Sequence, residues 1–134
     1  MNRALAEQIS VRFIRFLETG CADPELFTED AFCDFTLPRW RVQAEGREAV
    51  IQLRLRGHPG PSHVPRFRCD PTPDGFVLEL EEEWEAAGER WYCRELFRAD
   101  LRGQSIAALS VYCTGDWEAA RRAAHQREVQ LLRA

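Results

Sequence analysis

The stretch "LELEEEWEA", Leu78–Ala86, decides how this chain reads. Leucine alternates with glutamate at the period of a β-strand, in which successive side chains point to opposite faces. Carried back to Phe76, one face holds Phe76, Leu78, Leu80, Glu82 and Trp84, and the other Val77, Glu79, Glu81 and Glu83. The simplest reading buries the first row and wets the second. The alternative turns the glutamate row toward a sheltered hollow, where an isolated carboxyl is pushed toward neutrality and becomes fit for acid–base work. Burying three glutamates together without partners costs too much, so at most one or two can be dry.

The neighbouring segments extend the same pattern. Downstream, two more long strands are predicted, Arg90 to Leu101 and Gln104 to Cys113, with "AAGE" and "LRG" as the connections. Upstream, "VPRFRCD" can form a strand and "PTPDG" is turn chemistry. The three prolines and two glycines of "GHPGPSHVPR" predict irregular structure there, with His58 and His63 as loop residues rather than a metal pair. Nearer the N-terminus, Leu5, Ile9, Phe13, Phe16 and Leu17 recur at helical spacing, and Gly20 suits the helix stop. "ADPELF" predicts a short second helix capped by Asp23, "AFCDFT" a strand ended by Pro38, and "REAVIQLRLRG" a helix stopped at Gly57. Asp116 is predicted to cap a C-terminal helix, "WEAARRAAHQREVQLL", with His125 on its exposed side. Early helices, a late antiparallel meander and a closing helix predict a single α+β domain over 1–134.

Composition bounds the function. The 134 residues are 45% hydrophobic and 30% charged, ordinary for a globular domain. A net charge of −4 argues against a nucleic-acid partner held through phosphates. No apolar run approaches the roughly 20 residues that span a bilayer. Charges at Arg3, Glu7, Arg12 and Arg15 interrupt any signal-peptide core, so a cytoplasmic location is expected. Cys21, Cys33, Cys69, Cys93 and Cys113 are an odd set with no C-x-x-C pair, which reads as free thiols and no metal site.

"LFTEDAFCDFTLP", the helix start "EGREAV" and the closing "LRGQSIAALSVYCTGDW" together resemble the nuclear-transport-factor-2-like superfamily, and within it the SnoaL-like branch. The resemblance implies a cone-shaped, curved antiparallel sheet wrapped around the N-terminal helices, with an apolar cavity open at one end and a C-terminal helix. It also implies a homodimer formed through the sheet face. Enzymes of the superfamily include ketosteroid isomerases, limonene epoxide hydrolases and polyketide cyclases, and none needs a cofactor. They share a carboxylate or histidine in a dry pocket and a donor that steadies a developing oxyanion.

By that resemblance Glu81 and Glu83 fall where the epoxide hydrolases hold a charged pocket pair, and Asp34 and Thr36 at polar positions on the first strand. The expected catalytic groups are Asp34, Glu79, Glu81 and Glu83. Tyr92, Arg94 and Tyr112 are expected to orient substrate, with Arg94 the cross-strand partner of Glu81. Trp40, on a loop near the expected cavity mouth, can stack on a flat ligand or plug a core edge. One departure stands out: where relatives place an acid or histidine on the inner face of the last strand, this chain has Val111. The expectation is a cofactor-independent acid–base enzyme acting on an apolar, cyclic or polyketide-like molecule by isomerisation, cyclisation, dehydration or hydrolysis. The rival expectation is a non-catalytic binding or dimerisation module.

Overall fold

A computed structural model describes residues 2–133. Helix α1 (Arg3–Thr19) opens the chain. The side chain of Asn2 accepts from the Leu5 amide at its start, and Gly20 ends it in the left-handed conformation with φ 76°. The expected second helix does not form. Asp23 instead accepts from the Glu25 amide and from Nε and Nη2 of Arg12, and the chain passes directly into strand β1 (Phe27–Thr36). Phe27 must lie beside Ile106 in the sheet, which leaves no length for a helical turn.

Strand β2 (Arg41–Glu45), exposed and unanticipated, returns along β1, and helix α2 (Arg47–Gly57) follows. Strand β3 (Ser62–Pro71) begins inside the segment read as irregular. Its Pro65 is tolerated because β3 is an edge strand and Pro65 falls at a register shift between His63 and Arg66. The meander β4 (Gly75–Ala86), β5 (Glu89–Arg102) and β6 (Ser105–Cys113) forms as expected. Residues Trp117–Glu118 then pair with β5 as a short strand β7, so helix α3 (Ala119–Glu128) starts later than expected. Asp116 therefore lies outside the helix and does not cap it; the Ala119 amide donates to Glu89 instead.

The seven strands run in the order β2-β1-β6-β5-β4-β3, with β7 beside β5. Neighbours are antiparallel except β1 and β6, which run parallel, so the sheet is mixed rather than wholly antiparallel. Register shifts in the β1–β6, β3–β4 and β5–β6 pairs accommodate its bending. The concave face closes over the inward stripe of α1: Phe13 meets Phe97 edge-on at 4.9 Å, and Phe16 meets Phe27 at 5.7 Å. Each of these fully buried rings contributes about 1.5–3 kcal/mol from apolar burial. Gly75 starts β4 because a Cβ there would lie 1.9 Å from the Ala99 carbonyl oxygen. No helix of the described residues is long and apolar enough to cross a membrane.

Candidate active site in the concave face

The apolar row of β4 points inward, and with it Glu82. Phe76, Leu78 and Leu80 are buried against α1 and the facing strands, and Glu82 is fully enclosed. At that depth a carboxylate survives only if charge and hydrogen bonds meet it. Arg54, from the last turn of α2, supplies both: its two terminal nitrogens donate to Glu82 at 2.9 and 2.6 Å. The Ser62 hydroxyl lies 2.8 Å from Glu82 Oε2 and 3.1 Å from the Leu17 carbonyl oxygen, and its one proton serves one of them at a time. Arg54 also donates to the Leu17 carbonyl at the end of α1. The pair thus ties α1, α2, β3 and β4 together. Burial opposes the Glu82 charge, but the Glu95 and Arg54 hydrogen bonds and the guanidinium charge outweigh it, and the carboxyl is held down at about 2.

Glu95 is the second enclosed acid, 3% exposed. The β4–β5 register sets it opposite Leu80, one step along from the Glu82–Cys93 pair, on the same inward face. Its carboxyl lies within hydrogen-bonding reach of Glu82, a contact that exists only when one of the two carries a proton. Burial, and then the negative Glu82, push Glu95 well above the ordinary carboxylate range, with Arg54 opposing. Glu82 holds the guanidinium, so Glu95 holds the proton. The Cys93 thiol donates to Glu95 Oε1 at 3.6 Å, while Oε2 is enclosed with no donor facing it. An un-ionised carboxyl needs no donor there.

Glu95 and Arg54 form the polar end of a small apolar cavity of about 30 Å³, walled by Phe13, Phe27, Phe97, Leu109 and Val111 among others. That is about the volume of one water molecule. Val111 does occupy the inner face of the last long strand, so this chain has no acid there. Phe35 and Leu53 are the apolar lining side chains left partly exposed, so they form the mouth. Such an arrangement can hold a proton in a dry, fixed position and give it to an oxygen that enters.

The residues singled out from sequence lie elsewhere. Glu79, Glu81 and Glu83 occupy the outer face, because the apolar row of β4 is the one α1 covers. Arg94 does stand opposite Glu81 in register, but its closer partner is Glu79 at 3.2 Å, and Glu81 accepts from the Tyr92 hydroxyl at 2.7 Å. Glu83 pairs with Arg122 of α3. Asp34 and Thr36 alternate outward from the inward Cys33 and Phe35; Asp34 is bound by Arg41 at 2.6 Å, which holds its carboxyl below the usual range. Tyr112, beside Thr36, is 57% exposed, and Trp40 is 71% exposed and lines neither the inner cavity nor the outer groove. His58 lies in the loop after α2 as expected, buried edge-on to Trp84 at 4.5 Å, whereas His63 falls in β3 rather than in a loop and His125 is half-buried against Trp117 rather than exposed. The five cysteines are free.

Sequence reasoning missed Glu82 and Glu95, and the signal was present. Glu82 interrupts the row Phe76, Leu78, Leu80, and Glu95 sits between Cys93 and Phe97. A single charge inside an apolar row is a stronger pointer to a buried acid than a row made only of charges.

No protein-family model matches the chain. No curated protein matches it either. Solved structures do. An NTF2-like protein from Anabaena variabilis is 20% identical, with 84% of this chain and 89% of that one covered at a TM-score of 0.71. An NTF-2 like protein of unknown function from Burkholderia xenovorans is 19% identical over 99% of each chain, with a TM-score of 0.63. A protein from Catenulispora acidiphila described as having a ketosteroid isomerase-like fold, in complex with trimethylamine, is 14% identical over 80% of this chain and 85% of that one, also at 0.63. At these identities the likeness speaks for architecture alone. The chain has the α+β fold of the nuclear-transport-factor-2-like proteins, a curved, unclosed sheet with helices packed in its concave face and a further helix at its C-terminal end.

Proposed function

We propose that the protein is a cofactor-independent acid–base enzyme acting on a small, apolar, oxygen-bearing molecule, with Glu95 as the proton-carrying group. The observation that supports it is the enclosed Glu95 carboxyl, pushed above the ordinary carboxylate range by burial and by Glu82, at the polar end of an otherwise apolar cavity.

The chemistry follows from counting charges. Glu95 gives its proton to the carbonyl oxygen of a bound molecule. It is then a second carboxylate beside Glu82, with one guanidinium, Arg54, between the two. That state is unfavourable, so the Glu95 carboxylate is a strong base and recovers a proton from a neighbouring carbon of the substrate. The sum is an enolisation: one proton leaves Glu95 for oxygen and one returns from carbon. Isomerisation, dehydration and cyclisation all contain that step. The five phenylalanines of the cavity wall exclude water and keep Glu95 un-ionised between turnovers.

Val111, standing where an acid would be needed on the last long strand, favours a second reading, a module of the same fold that binds a small molecule without transforming it. Exchange of the α-hydrogens of small cyclic ketones in heavy water, followed by NMR, separates the two. Catalysis predicts exchange accelerated by the native protein, lost in Glu95→Gln, and blocked by filling the cavity with Val111→Phe. Equal exchange with native protein and Glu95→Gln removes the catalytic assignment.

A further inference from the structure

A second cavity, unconnected with Glu95, lies on the outer face of the sheet between β3, β4, β5 and α3, with a volume of about 610 Å³. This is the size of an ordinary small-molecule site, about twentyfold larger than the inner cavity. Five arginines line it, Arg66, Arg68, Arg94, Arg122 and Arg133, against two carboxylates, Glu79 and Glu81. The protein as a whole carries a charge of −4, so this is a positive hollow in a negative molecule, which concentrates anions.

The existing ion pairs leave part of that charge unused. Arg94 is engaged by Glu79, Arg122 by Glu83 and Arg68 by Asp70. Among the described residues Arg66 has no carboxylate within ion-pairing distance, although Glu81 stands opposite it in the β3–β4 register. Glu81 is occupied instead by the Tyr92 hydroxyl, whose proton is held up to about 12 by burial and by that carboxylate. The apolar part of the wall is largely aromatic. Tyr92 and Trp117 pack at 5.9 Å, Phe67 is 52% exposed, and Leu131 closes one side. Arg122 lies over the Tyr92 ring at 4.1 Å. The Trp117 indole nitrogen is enclosed and finds no acceptor, a donor that a ligand oxygen would satisfy.

We infer that this outer groove binds a planar aromatic carboxylate, its anion held by Arg66 and its ring laid against Phe67 and Trp117. A single carboxylate fits the surplus better than a phosphate dianion, because Glu79 and Glu81 share the groove and repel a second negative charge. The planar guanidinium also matches a carboxylate through two parallel hydrogen bonds.

The test is titration calorimetry with naphthoate at low salt, beside its neutral amide and inorganic phosphate, with NMR of the Trp117 indole N–H. The expected result is naphthoate binding that weakens with salt, an amide at least about tenfold weaker, and phosphate weaker than naphthoate. Arg66→Gln lowers naphthoate affinity about tenfold with the melting temperature unchanged. Glu95→Gln leaves that affinity alone, which separates this groove from the inner cavity. Equal binding of the amide, unchanged affinity in both Arg66→Gln and Arg94→Gln, or loss of binding in the cavity-filling Val111→Phe variant overturns the assignment. So does sedimentation showing a dimer whose second copy covers the groove and excludes naphthoate.

Discussion

Replacing Arg54 with methionine tests the buried pair, and its cost follows from the geometry. The Arg54 side chain is 9% exposed and Glu82 is not exposed at all, and the pair is bidentate at 2.9 and 2.6 Å. Without the guanidinium, Glu82 either stays charged in an apolar setting or takes a proton. Taking a proton at pH 7, from an ordinary carboxyl, costs about 3 kcal/mol. Breaking a buried pair by removing one partner costs about 3–5 kcal/mol in general, and the two figures agree. In urea, with a slope of about 2 kcal/mol per molar, the midpoint should fall by about 2 M. The loss should shrink as pH falls. Native Glu82 stays ionised down to about 2, whereas the orphaned Glu82 protonates more cheaply at pH 5 than at pH 7, by about 3 kcal/mol. Replacing both partners, as Arg54→Met with Glu82→Leu, should return stability to within about 1 kcal/mol of native, since Ser62 is then free to serve the Leu17 carbonyl. A single-variant loss under about 1 kcal/mol, with no pH dependence, would show a hydrated pair of the surface kind and refute the reasoning.

Three further outcomes follow. Burial, and then the nearby Arg54 charge, depress His58 from 6.5 to about 4, so native stability carries a contribution that is present above pH 6.5 and lost as pH falls toward 4. His58→Phe should remove that slope, worth roughly 3 kcal/mol, in denaturation curves compared with native protein across the window. Gly75→Ala drives a Cβ against the Ala99 carbonyl and should cost about 1–3 kcal/mol, read as a lowered melting temperature, whereas equal stability would mean that the β4–β5 approach is looser than described. Asp34→Asn removes an outward, Arg41-bound carboxylate and should leave ketone exchange unchanged; a large loss would return Asp34 to the chemistry.

The fold was legible because its strongest signals are local. The α1 stripe from Leu5 to Leu17, the Gly20 stop and the three meander strands each follow from spacing within one element. The departures arose where long-range pairing overrides local chemistry. Asp23-Pro24 reads as a helix start, yet Phe27 is claimed by Ile106, and Asp116 reads as a cap, yet Trp117–Glu118 is claimed by Tyr92 and Trp91. The β4 alternation separated the two rows correctly, and its simplest reading, with the apolar row buried, is the one the structure takes. What alternation cannot supply is a partner from another element. Only the packing of α2 against β1 and β2 lets the Arg54 side chain reach Glu82, 28 residues away in sequence, and only the β4–β5 register sets Glu95 beside them. A basic residue in the last turn of a helix complements its dipole in any setting, so the residue type alone does not reveal a buried partner.

The proton on Glu95 carries the whole account of the inner cavity, and infrared difference spectroscopy of native protein against Glu95→Gln observes it directly. At pH 7 the native protein should show the carbonyl stretch of an un-ionised carboxyl group, shifted in heavy water, absent from the glutamine variant, and persisting well above the pH at which an ordinary carboxyl ionises. A native spectrum at pH 7 with no such band would mean that Glu95 is ionised and cannot serve as the acid.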